Sequence, residues 1–444
     1  MDILNDKIYT LIKKIALPAS IGFIFGTLYN VVDTYFAGSH ISSEALAGLT
    51  YTFPLYLIMM AFGNGMATGV GALFAPALGS ANPKKGIKYI YNGLILISIT
   101  SILLGCFLWF FSKPIIALMG AEGIALQAGI DYMKIIALAV PISLLSFLLN
   151  TILSAQGDTK SFRNSVMIAF VLNCALDPLF IMYFDWGVFG LAWATFIVQI
   201  ISVLYLLYKV YKSPIIKYFN KSLLVNNISM QMEVLQQGFP STLNMITMSG
   251  QIFIMNFYVQ KYAGESAVAG MGAAFRVEQL ILIPTLALNI ATMAIIGQNF
   301  GARKFDRIKE TFKKAIILGC LVIGVGVVMI LSFGEQIIAF FDDTPAVVAF
   351  GKRYLHFSAA IILSYVITNV STATMQSLQR PLIPLVISVF RRIIFLFIAI
   401  EFLTNKFGID GFFYSILILP WIGVFFFAWF AVKTINETEK KYLP

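Results

Sequence analysis

Apolar residues fill the chain in long runs, and polar residues collect in short stretches between them. Twelve runs can be drawn, at roughly residues 12–37, 45–79, 88–111, 124–155, 162–184, 187–210, 233–260, 266–300, 312–333, 346–378, 382–403 and 411–432. A bilayer-spanning α-helix needs about 20 apolar residues, each adding about 1.5 Å. The pattern therefore predicts an all-α polytopic membrane protein with twelve transmembrane helices.

Composition supports a membrane protein and narrows the possible functions. Hydrophobic residues make up 59% of the 444, and only 12% are charged, whereas about 25% are charged in a typical soluble domain. The three cysteines and two histidines are scattered, so no disulfide framework or zinc site is expected. No nucleophile motif or cofactor domain stands out either, and we expect neither an enzyme nor a cofactor.

The formal charge of +10 reflects orientation in the membrane. Most lysines and arginines fall in alternate polar stretches, such as those near residues 84–88, 209–221 and 303–314. Cytoplasmic loops carry such an excess of basic residues, which predicts that both termini are cytoplasmic. The surplus charge therefore needs no nucleic-acid partner.

The second half of the sequence repeats the first. A shift of 222 residues aligns eight landmarks without a gap, among them Pro18 with Pro240, Gly48 with Gly270 and Gly79 with Gly301. Six crossings per half give both halves the same orientation. We therefore predict two six-helix bundles, residues 1–210 and 233–444, related by a pseudo-two-fold axis along the membrane normal and joined by a cytoplasmic linker, 211–232.

A carboxylate interrupts the first apolar run. Asp33 shares a helix face with Tyr29 and Asn30 in the run Ile15–Gly38. A charge at membrane depth costs a few kcal/mol on insertion scales, so it marks a functional site by default. The alternative is a structural acid that only fixes helix packing.

Other polar residues of the first half are expected near the same depth. Asn173 and Asp177 are four apart and share one helix face, and Pro178 frees the carbonyl of Cys174. Thr195 and Tyr132 fall at a similar outer level, and Asn150 falls deeper. These groups could bind a ligand or only hold helices together.

The second half lacks the matching acid, since Met255 stands where the repeat places Asp33. Arg276 and Glu278 lie in the eighth run, and we expect them to form a structural ion pair or to line the transport cavity. The adjacent Arg391 and Arg392 need partners or water at membrane depth.

The sequence LYNVVDTYFAG in the first run, ALAG echoed as AVAG, and the turn QGDTK resemble the multidrug and toxic compound extrusion (MATE) family. The likeness covers essentially the whole chain, and the paired acids resemble its DNA-damage-inducible-F-like prokaryotic branch. The resemblance implies that a coupling H⁺ or Na⁺ binds at Asp33, Asn173, Asp177 and Thr195. It also gives them the neighbours Tyr29, Tyr132 and Asn150. We expect these three to line the substrate cavity, together with Asn30 and, from the other half, Glu278 and Arg276.

The function that follows is secondary active export of cationic or amphipathic organic compounds from a prokaryote, by antiport across its cytoplasmic (inner) membrane. We expect a monomer whose partners are small organic molecules and membrane lipid. A flippase for a lipid-linked precursor is the alternative, but it should need a more strongly charged cleft. A membrane-embedded enzyme is the third class.

Overall fold

A computed structural model describes residues 1–442, in which every regular element is helical. The long helices are α1 (Ile8–His40), α2 (Ser43–Gly79), α3 (Pro83–Leu118), α4 (Gly123–Ala155), α5 (Lys160–Pro178), α6 (Gly187–Tyr211), α7 (Ile228–Ala263), α8 (Glu265–Gly301), α9 (Phe305–Phe341), α10 (Pro345–Ser377), α11 (Leu382–Val389), α12 (Phe395–Phe407) and α13 (Ile409–Tyr442). The predicted all-α fold is confirmed.

Two π-helical turns continue or connect these helices. Leu179–Tyr183 extends α5, and Phe390–Ile394 joins α11 to α12. When α11, the turn Phe390–Ile394 and α12 are counted as one continuous helix, the described residues form twelve long helical segments, as predicted. Eleven of them are long and apolar enough to cross a membrane. The other is α7, which is 36 residues long but richer in polar side chains.

The described chain divides into two compact units. The first unit comprises residues 21–242, and the second unit comprises residues 1–20 and 243–444. Helices α1 and α7 therefore each pass from one unit into the other. The predicted halves differ from these units, because the start of α1 belongs with the later helices and residues 211–242 belong with the earlier ones.

The first unit has an apolar core between α2, α3 and α4, with Val70, Phe74 and Leu144 fully buried. Small residues also let α2 pack closely against α7, since a Cβ atom built on Gly65 or Gly69 would overlap the α7 backbone. The segment between α6 and α7 packs on the same core through Ile215 and Leu223.

Polar contacts hold this connecting segment on α3. Asn92 is fully buried, donates to the carbonyl oxygen of Val225 (3.2 Å) and accepts from the backbone N–H of Asn227 (2.8 Å). Just after this segment, the Tyr89 hydroxyl also donates to the carboxylate of Glu233, in the first turns of α7, at 2.5 Å. Residues 211–232 are thus a docked part of the first unit.

The second unit packs α8, α9, α10 and α13 together, and the amino-terminal residues join them. Ile8, Leu11 and Ile12 of α1 are almost completely buried. Before α1, the Arg307 guanidinium donates to the backbone oxygens of Ile3 (3.1 Å) and Asp6 (2.7 Å). The start of the chain is therefore anchored in this unit.

Candidate functional site

Three predicted residues meet inside the first unit. The side-chain amide of Asn173 donates to Asp33 Oδ1 at 3.2 Å and to Asp177 Oδ1 at 2.9 Å. Asn173 and Asp177 are completely buried, and Asp33 is partly exposed. The amide therefore bridges two carboxylates that come from different helices, α1 and α5.

Close packing of α1 on α5 brings these carboxylates together. A Cβ atom on Gly22 would lie 2.7 Å from a ring carbon of Phe162, whereas one on Gly26 would lie 3.7 Å from Val166. Only a residue without a side chain fits at position 22 without displacing its neighbour. Gly22 thus permits α1 to pack closely on α5, on the same helix face that carries Asp33 eleven residues later.

The second carboxylate lies where the regular α-helix ends. Asp177 is followed by Pro178, whose nitrogen has no hydrogen to donate, and the π-helical turn begins at Leu179. π-Helical turns inside α-helices are frequent at functional sites. The sequence predicted that Pro178 interrupts the backbone hydrogen bonding of this helix, but it did not predict the π-helical turn.

Tyrosine and threonine hydroxyl groups lie near the two carboxylates. The Tyr29 hydroxyl donates to Thr195 Oγ1 at 3.3 Å, which links α1 to α6. Tyr132 lies within electrostatic range of Asp33 and Asp177, and Tyr56 lies within range of Asp33. Sequence reasoning missed Tyr56, because only the packing of α2 near α1 brings it beside Asp33.

Two further predicted residues lie apart from this cluster. The Asn30 side chain is exposed, and its backbone oxygen accepts from Thr34. Asn150 is partly buried, and its side-chain oxygen has no hydrogen-bond partner within residues 1–442. Neither makes a hydrogen bond to Asp33, Asn173 or Asp177 in the described chain.

The cluster is an oxygen-rich site with unused acceptors. Asn173 Oδ1 and Asp177 Oδ2 are buried without a hydrogen-bond partner among the described residues. Buried polar atoms normally have partners, so unpaired ones require an explanation such as a bound ion. Carboxylate, amide and hydroxyl oxygens suit a proton or a hard cation. Residues 1–442 contain no group of three or more His, Cys, Asp or Glu side chains suited to a metal ion.

The second-half candidates do not form the ion pair that we expected as one alternative. Glu278 is 4% exposed, and its carboxylate lies beside Tyr354, Ser358 and Tyr365. Arg276 is exposed, and its Cζ atom lies 5.9 Å from the centre of the Phe341 ring. Residues two apart on a helix do not face each other, so the predicted pairing was wrong.

Comparison with known families identifies the chain. The family model described as MatE matches residues 18–179 and again residues 240–400. The chain belongs to the MatE family. The two matches begin at Pro18 and Pro240, the same pair of prolines that the repeat aligned. The family model thus matches one MatE repeat in each half of the sequence.

Relatives and solved structures agree with the MatE assignment. The chain is 26% identical to the multidrug export protein MepA of Staphylococcus aureus strain N315, over 93% of this chain and 91% of that protein. It is also 26% identical to the probable multidrug resistance protein YoeA of Bacillus subtilis, over 84% of this chain and 82% of that protein. A crystal structure of MATE in the straight conformation superposes with a TM-score of 0.93 at 20% identity, covering 99% of this chain and 98% of that chain.

Proposed function

We propose that this protein is a secondary active exporter of several organic compounds, driven by the inward movement of H⁺ or Na⁺. The observation that carries the proposal is the pair of carboxylates, Asp33 and Asp177, bridged by the Asn173 amide inside the first unit. Further support comes from relatives named as multidrug export and multidrug resistance proteins. Those names give no support to the lipid-linked flippase considered as the alternative.

Repulsion between the carboxylates gives the site a reason to bind a cation. Two ionised carboxylates this close, away from bulk water, destabilise each other, and a proton or Na⁺ between them removes that cost. The amide of Asn173 contributes two hydrogen bonds but no charge. Cation binding would therefore favour the packing of α1 on α5, and cation release would favour the alternative conformation.

The hydroxyl pair would transmit this change to α6. Tyr29 lies one helical turn before Asp33 and contacts Thr195, so movement of α1 changes that contact. We place Thr195 among the cation ligands, and we place Tyr132, Asn30 and Asn150 along the substrate path. The proposed moving bodies are the two six-helix halves, with both termini in the cytoplasm.

The identity of the ion depends on the orientation of the Asn173 amide. A Na⁺ ion needs oxygen ligands, so the amide would have to turn its Oδ1 atom toward the carboxylates. A proton shared by the carboxylates is compatible with the amide as a donor. Both orientations use the same three residues, and sodium dependence of transport distinguishes them.

Transport by purified protein in proteoliposomes tests the proposal. Ethidium movement is followed under a pH gradient alone, a sodium gradient alone, or neither. We expect accumulation of dye against its gradient under one of the two ion gradients, and none after the substitution Asp33→Asn. Absence of gradient-driven dye movement in the unsubstituted protein would refute the export function. Full activity of the Asp33→Asn variant would refute the role of the carboxylate.

A further inference from the structure

The second unit contains two adjacent arginines without an acidic partner. Arg391 is 6% exposed, and its Nε and Nη2 atoms are buried with no hydrogen-bond partner in residues 1–442. The Nε atom of Arg392 is likewise buried with no hydrogen-bond partner in residues 1–442. The Nη1 atom of Arg392 makes a long hydrogen bond of 3.4 Å to the backbone oxygen of Asn244. The ion pairs found within the described chain include neither arginine.

Such an arrangement is costly within an apolar helical segment. Burying an ionised group without a counter-charge costs several kcal/mol, and a second like charge beside it adds repulsion. Nearby side chains on the same cavity wall, Gln251, Tyr354 and Tyr365, are neutral. The Glu278 carboxylate lies beside Tyr354 and Tyr365, but Glu278 does not line the cavity, and the ion pairs found within the described chain do not join it to either arginine. Two cationic groups therefore face a small cavity of about 20 Å³ in which an anion would compensate their charge.

The packing around Arg391 is built to accommodate its side chain. A Cβ atom on Gly423 of α13 would lie 2.3 Å from Arg391 Cδ, so this position leaves room for the arginine stem. The guanidinium carbon lies 5.9 Å from the centre of the Phe427 ring, on the same helix. The side chain is thus held in place by α13 and is not a mobile surface group.

A second cavity adjoins Arg391 and is mainly apolar. It measures about 180 Å³ and is lined by apolar side chains that include Phe390, Phe395, Ile422 and Phe426. Arg391 and Leu419 line both cavities. An apolar cavity of about 150 Å³ is large enough for one benzene molecule, so this cavity has room for a single ring or a short alkyl chain.

We propose that these two cavities together bind a small amphipathic acid, with its anionic group at Arg391 and Arg392 and its apolar body between α11, α12 and α13. Phe390, Phe395 and Ile422 are about half exposed, so the ligand enters from the exposed side of these three residues. The anionic group could belong to a free organic acid or to an anionic lipid. The site is independent of Asp33 and Asp177, and it does not depend on the proposed transport function.

Binding of radiolabelled benzoate to the purified full-length protein in phosphatidylcholine nanodiscs tests this proposal by equilibrium dialysis. Benzoate combines one ring with one carboxylate, and benzyl alcohol has the same ring without a charge. We expect saturable binding near one benzoate per chain, with no competition from an equal concentration of benzyl alcohol. Absence of saturable binding, or equal competition by the alcohol, would overturn the proposal.

Three substitutions locate the site. We expect Arg391→Gln to weaken benzoate binding at least tenfold, and Arg380→Gln, in the turn before α11, to leave it unchanged. Because Arg391→Gln could disturb folding, Gln251→Glu provides a second test that keeps both arginines. Its carboxylate lies on the wall of the arginine cavity and should displace benzoate while the melting temperature is maintained. Unchanged binding in Gln251→Glu would overturn the proposal.

The lipid composition of the nanodisc identifies the source of the anion. If phosphatidylglycerol in place of phosphatidylcholine displaces benzoate, the site holds an anionic lipid head group. If benzoate binding is the same in both lipids, the site takes a free organic acid. Either result keeps an anionic ligand at the arginine pair.

Discussion

The substitution Asp177→Asn removes one of the two bridged carboxylates while keeping the shape of the side chain. In the structure, the Asn173 amide nitrogen is 3.2 Å from Asp33 Oδ1 and 2.9 Å from Asp177 Oδ1. These two oxygens therefore lie within about 6 Å of each other, the sum of the two distances. The variant abolishes the repulsion between them, and the benefit of binding a cation falls accordingly.

The size of this effect follows from Coulomb's law. Two unit charges about 6 Å apart at an effective dielectric constant of about 20 repel each other by about 3 kcal/mol. A difference of about 1.4 kcal/mol changes an equilibrium constant tenfold. We therefore expect Asp177→Asn to weaken binding of the coupling cation by about a hundredfold, with any loss of direct coordination adding to this.

The half-saturating concentration of the driving cation in proteoliposome dye export measures this change. The initial rate is recorded over a series of proton or sodium concentrations for the unsubstituted protein and for Asp177→Asn. Asp185→Asn is the matched control, because Asp185 is exposed and its left-handed backbone, with φ of 55°, is well tolerated by asparagine. A half-saturating concentration for Asp177→Asn within threefold of the control would refute the electrostatic coupling of the two acids.

Two further predictions concern packing contacts inside each unit. Gly22→Ala places a Cβ atom 2.7 Å from the Phe162 ring, so we expect overpacking to cost about 1–3 kcal/mol and to lower the melting temperature; Gly26→Ala, with its nearest contact at 3.7 Å, should not. Arg307→Gln removes the guanidinium that donates hydrogen bonds to the backbone oxygens of residues 3 and 6. The start of the chain is then less firmly held, so trypsin should release the first seven residues faster than in the control Lys313→Gln. Equal melting temperatures for the two glycine variants, or equal trypsin cleavage of the two charge variants, would contradict these assignments.

The acids were predictable from the sequence because a charge within an apolar run is conspicuous. Asp33 and Asp177 stood out individually, and the four-residue spacing placed Asn173 on the same face as Asp177. That Asn173 also reaches Asp33 depends on how closely α1 packs on α5, and no local pattern gives that distance. Tyr56 was missed for a related reason, since its position beside Asp33 arises only when α2 packs near α1.

For the fold too, local features were predictable from the sequence and long-range contacts were not. Apolar runs located the helices, but α1 begins at Ile8 and ends at His40, beyond the run from 12 to 37. At its start, Ile8 and Leu11 are buried by packing within the second unit, and the length of the apolar run does not give that contact. The π-helical turn after Asp177 had a signal in Pro178, whereas the turn at Phe390–Ile394 follows no proline or glycine. The allocation of residues 1–20 to the second unit depends on distant contacts such as those of Arg307.

Each unit holds one buried and one partly buried side chain of like charge, and the two pairs have opposite signs. In the first unit, Asp33 and Asp177 share one neutral amide, and in the second, Arg391 and Arg392 share a small cavity with neutral walls. Neither pair has an opposite charge from the described chain within 4 Å. Because an uncompensated buried charge costs several kcal/mol, an ion from outside the chain stabilises each pair more than any small rearrangement of neutral side chains can. A cation at the acids and an anionic group at the arginines are therefore consequences of the same electrostatic argument, and each can be tested without the other.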